Sequence, residues 1–81
     1  MTAMEYANRE EFDFAEMARE AQREQDKLQE ILRARKKAGP ESPDKELIWK
    51  RNNSVLYHMY LEQRANAIAF RKRAERRGQY A

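Results

Sequence analysis

The sequence predicts an all-α fold, an antiparallel two-helix hairpin that forms one helical domain over residues 1–81 and dimerises into a four-helix bundle. Three observations carry that expectation. Only two glycines and two prolines occur in 81 residues, 38% of which are charged and 41% hydrophobic. One run, "KKAGPESPDKE" (residues 36–46), holds both prolines and one of the glycines. On either side of it, apolar residues recur at helical spacing.

The first helix is expected over about residues 8–38. Asn8 followed by Glu11 resembles a capping box with Asn in place of Ser or Thr. No Gly or Pro interrupts the chain from there to residue 38, which allows a rod of roughly 45 Å at 1.5 Å per residue. The turn is expected at 39–42. Gly39 suits the positive-φ backbone that ends a helix, and Pro40 prevents its continuation. Ser42 is then placed to cap the next helix with its hydroxyl, with Pro43 at the first position and Asp44 and Glu46 near the positive end of the dipole.

The second helix is expected over about 43–77, with no breaker before Gly78. "NNS" (residues 52–54) puts three poor helix formers in a row and offers an alternative break there. The spacing of Trp49, Leu56, Tyr60, Ala67, Phe70 and Ala74 keeps one face in phase across it, which favours continuity. There is no internal repeat, and a coiled-coil heptad is only fragmentary. A short link between two long helices favours an antiparallel pair.

At 100° per residue the two helices differ. Phe14, Met17, Ala18, Ala21, Leu28, Ile31 and Leu32 fall within about 140°, with Phe12 off the arc, as in an amphipathic helix lying on a core. In "VLYHMYLEQRANAIAF" (residues 55–70) and the turns before it, apolar residues spread over roughly 240°. One partner helix cannot cover so wide an arc. Self-association through the second helix is therefore expected, giving a homodimer with Trp49, Leu56, Met59, Tyr60 and Phe70 at the interface. The alternative is a monomer that keeps this surface for a second protein.

Charge is patterned along the chain. Residues 1–22 carry Glu5, Glu10, Glu11, Asp13, Glu16 and Glu20 against Arg9 and Arg19, a net of −4. Residues 71–81 carry Arg71, Lys72, Arg73, Arg76 and Arg77 against Glu75, a net of +4. In an antiparallel hairpin these segments lie side by side and are expected to pair. Near the turn, Arg33, Arg35, Lys36 and Lys37 join Lys45, Lys50 and Arg51, with Trp49 close by. Nucleic-acid binding through the clusters at 33–37 and 45–51, or at 71–77, is the alternative function to a non-enzymatic interaction or regulatory protein.

Motifs for other chemistry are missing. With no cysteine, thiolate metal sites and disulfides are ruled out. His58 is the only histidine; Glu62 lies four residues on, and the pair lacks a third ligand. The two glycines cannot build a phosphate loop, and Ser42 and Ser54 have structural explanations. No catalysis, no cofactor, no metal and no small-molecule substrate are expected. The N-terminus has neither the basic start nor the apolar run of a secretory signal, and the apolar stretch is too short and polar to span a bilayer. A cytoplasmic protein without membrane association is expected.

Overall fold

The computed structural model describes residues 13–78, and those residues form a helical hairpin without strands. Helix α1 spans Phe14–Ala38 and α2 spans Glu46–Arg76. A short 3-10 turn, Pro43–Lys45, precedes α2.

Helix α1 starts where its backbone donors find an acceptor. Asp13 is extended (φ −92°, ψ 93°), and its carboxylate accepts the Glu16 N–H at 3.0 Å. That satisfies one of the N–H groups orphaned at a helix start. The start expected at Asn8 lies outside the described residues. At the other end Arg35, Lys36 and Lys37 sit in the last turn, where the dipole favours cations. Gly39 donates its N–H to the Arg35 carbonyl at 2.9 Å with φ 72° and ψ −177°, a backbone region open essentially to glycine alone.

The second start differs in detail from the expectation. Ser42 is extended, but its hydroxyl bonds the Asp44 carboxylate and caps no backbone N–H. Its carbonyl instead accepts the Lys45 N–H at 3.0 Å, an i→i+3 bond that makes the first turn 3-10. Regular α-helix therefore begins at Glu46, three residues after Pro43. From there α2 runs unbroken for 31 residues, straight through Asn52–Ser54. Gly78, at φ 69°, donates to the Glu75 carbonyl at 3.1 Å and closes the helix.

The helices pack antiparallel, and burial along them alternates in steps of three and four. In α1 the series Phe14, Ala18, Ala21, Gln25, Leu28, Leu32, Arg35 is buried or half-buried throughout. In α2 it is Trp49, Asn53, Leu56, Tyr60, Gln63, Ala67, Phe70, Ala74. This is a heptad seam over most of the hairpin, longer than the fragments read from sequence. Gln25, Arg35, Asn53 and Gln63 occupy four of its positions and hide it from a count of apolar residues. Ala18, Ala21, Ala67 and Ala74 keep the backbones close.

At the end away from the turn, Phe14, Ala15 and Ala74 form one cluster of the core, flanked by Met17 and Phe70. Phe14 stacks on Phe70 with centroids 6.4 Å apart. Ile31, placed on the core arc by the helical wheel, is 41% exposed at the edge of the seam. The hairpin measures 55 × 28 × 14 Å, so it is one helix thick and has no room for an enclosed interior site.

Candidate functional site

With its seam against α1, α2 still shows large apolar side chains to solvent. Leu47, Ile48, Val55, Tyr57, Met59, Leu61 and Ile68 are all exposed, while α1 contributes only Ile31 among the described residues. By helical spacing they flank the seam on two sides. Ile48, Val55 and Met59 share one flank of α2; Tyr57, Leu61 and Ile68 share the other.

The residues expected at a self-association interface divide accordingly. Trp49, Leu56, Tyr60 and Phe70 belong to the intrachain seam and are half-buried there. Trp49 donates from Nε1 to the Arg35 carbonyl at 3.2 Å, and Phe70 stacks on Phe14. Met59 alone of the five is exposed, at 46%. Sequence could not separate the two sets, because a wide apolar arc does not say which part of it the neighbouring helix covers.

The basic clusters also separate. Arg35 turns into the seam and donates from Nε to Asn53 Oδ1 at 2.7 Å. Lys45 and Lys50 pair with Glu41 and Glu46, at 2.9 and 3.4 Å. Lys37 and Arg51 are exposed. At the far end the guanidinium groups of Arg73 and Arg77 lie over the Phe14 ring, 5.7 and 5.1 Å from its centroid. Arg71, Lys72 and Arg76 face solvent.

The expected pairing of the acidic start with this basic end takes another form among the described residues. Asp13 caps α1, and Glu16 binds Arg19 at 2.9 Å and Arg23 at 3.3 Å on its own helix. Those hydrogen bonds, Arg19 first, hold the Glu16 carboxyl below its ordinary value. Glu5, Glu10 and Glu11 lie outside the described residues.

Arg33 and Lys36 do come together with something new. They line an open groove of about 350 Å³ between the helices, with Gln29 and Leu32 from α1 and Tyr57, Tyr60 and Arg64 from α2. Tyr57 and Tyr60 stack at 6.1 Å with their planes 23° apart. Among the described residues no carboxylate lines this groove. A smaller groove of about 220 Å³ is lined by Met17, Glu20, Ala21, Glu24, Gln63 and Phe70 and is acidic. Helical spacing puts the two on opposite sides of the hairpin. Sequence reasoning missed Arg64 and the two tyrosines as companions of Arg33 and Lys36, since only the antiparallel register brings them together.

No family model matches the chain, and no curated protein or solved structure matches it either.

His58 is exposed and makes a tilted ring contact with Tyr57 at 6.4 Å. Among the described residues it shows no hydrogen bond to Glu62, and no group of three or more His, Cys, Asp or Glu side chains could hold a metal. No described helix is long and apolar enough to cross a membrane.

Proposed function

We propose that this chain is a small non-enzymatic interaction protein that self-associates through its second helix, two hairpins forming a four-helix bundle. The observation that supports this is the exposed apolar flank of α2 carrying Ile48, Val55 and Met59, at 61%, 54% and 46% exposure. Ile31 of α1, 41% exposed, lies on the same side by helical spacing.

The core explains why such a surface would be used. Its buried members are Phe14, two leucines and five alanines, and no large side chain among the described residues is fully buried. A hairpin with so little interior is marginal by itself. Covering a few hundred Å² more at about 25 cal/mol per Å² contributes several kcal/mol, against a total stability of about 5–15 kcal/mol for an ordinary domain. A second copy is the partner present wherever the chain is present.

The test is molar mass by light scattering across a dilution series. A mass near twice 9.8 kDa is expected, falling to 9.8 kDa in a Val55→Asp, Met59→Asp variant. A wild-type mass of 9.8 kDa at every concentration, with full helicity, would leave this surface to a different protein.

A further inference from the structure

We infer that the groove between Arg33, Lys36 and Arg64, with the stacked Tyr57 and Tyr60, binds single-stranded nucleic acid. The inference stands apart from self-association, which uses the opposite flank of α2.

Charge is the first reason. Three cations from two helices rim the groove without a carboxylate among its lining residues. None of the three makes an ion pair with a described residue, which is equally true of Lys37, Arg51, Arg71, Lys72 and Arg76; what sets the three apart is that the groove gathers them beside two aromatic rings. A cation that no described acid holds is available to phosphate. The acidic groove lies on the opposite side of the hairpin, so the three cations face away from its carboxylates.

Aromatic geometry is the second. Tyr57 is half-exposed and stacks on Tyr60 at 6.1 Å, so the pair presents a flat rim beside the cations. Nonspecific single-strand binding combines these two elements, a basic groove following the phosphates and aromatic rings on which bases stack. Gln29, at the same groove, adds an amide that can donate to or accept from a base edge.

The combination discriminates among anionic partners. A duplex keeps its base faces inside the stack and offers the tyrosines nothing flat. An acidic peptide satisfies the cations but leaves the rings without a planar partner. Of these three polymers, the unpaired strand alone supplies phosphates and open base faces together. Because every base has a π-face, little sequence preference is expected.

The experiment is fluorescence anisotropy of the full chain with a labelled single strand of about twelve nucleotides, a length within the range one small binding surface occupies. A duplex of the same length and a labelled oligo-glutamate peptide are the comparison probes. Single-strand binding that weakens steeply with salt is expected, tighter than for either comparison. Tyr57→Ser should weaken it about ten-fold with the salt slope unchanged, and Tyr57→Phe should leave it intact. Arg33→Glu with Lys36→Glu should lower both affinity and slope. Lys72→Glu with Arg76→Glu makes the same change in net charge on exposed positions away from the groove and should retain most of the affinity. The inference is overturned by absence of binding at low salt, by equal affinity for the duplex or the peptide, or by equal losses from the two charge-reversal pairs. Circular dichroism of each variant establishes that the hairpin is intact.

Discussion

Arg35 of α1 donates from Nε to the Oδ1 of Asn53 in α2 at 2.7 Å, and the Arg35 carbonyl accepts both the Gly39 N–H and Trp49 Nε1. One residue thus ties together the end of the first helix, the turn and the start of the second. It also explains why the three poor helix formers at 52–54 do not break α2: the middle one is held from across the hairpin. Polar residues on a helix seam specify register, because any slip leaves them unpaired.

The two neighbouring asparagines should therefore respond oppositely to alanine. Asn52 is exposed, and Asn52→Ala should stabilise by about 0.5 kcal/mol through helix propensity alone. Asn53→Ala gains the same propensity but strands the Arg35 guanidinium, for a net loss of about 1 kcal/mol. Urea unfolding followed at 222 nm, with all variants at one chain concentration, measures both. Stabilisation by both changes would mean that the Arg35 bond contributes nothing.

Gly39 isolates a backbone effect. A Cβ added there meets no atom within 4 Å, so Gly39→Ala creates no clash. Its φ of 72° with ψ near 180° is still costly for any L-residue, and a loss of about 1–3 kcal/mol is expected. Thermal unfolding of this variant beside Ala38→Gly would separate strain at residue 39 from general sensitivity of the turn.

Ala74 is wholly buried between the helices beside Phe14. Ala74→Leu should push α2 away from α1 and cost about 1–3 kcal/mol, despite adding apolar surface. The same change at exposed Ala69 should be close to neutral. A stabilised Ala74→Leu variant would show that the close approach is unnecessary.

Glu16 sets a pH dependence whose sign follows from its surroundings. Hydrogen bonds from Arg19, then Arg23, lower its folded-state pKa below the ordinary value of 4.5. Its contribution is therefore present above the unfolded value and is lost as pH falls through the lowered folded one. Glu16→Gln should reduce stability at neutral pH and converge with wild type under strongly acid conditions. A carbon-detected NMR titration should find the Glu16 carboxyl below the ordinary glutamate value, and Arg19→Ala should close most of the gap.

Much of this architecture is written locally. The hard stop at Gly39–Pro40, the restart near Pro43, the end at Gly78 and the apolar face of α1 all follow from residue types within a few positions of one another. The cap at Asp13 is equally local, a carboxylate three residues before the N–H it accepts, while the Asn8–Glu11 pattern lies outside the described residues. Ser42 misled because its hydroxyl can reach a backbone N–H or the Asp44 carboxylate, and the 3-10 turn favours the second.

What sequence by itself determined is the pair of long helices, their turn and an excess of apolar surface on the second. Tertiary structure alone decided which part of that surface is used internally. Antiparallel register assigns Trp49, Leu56, Tyr60 and Phe70 to α1 and leaves Ile48, Val55 and Met59 outside. It also turns Arg35 inward while setting Arg33 and Lys36 beside Arg64 and the two tyrosines. Across that groove the residues brought together lie about twenty to thirty-five positions apart in sequence. Helical periodicity states which residues share a face of one helix; only packing states what that face meets.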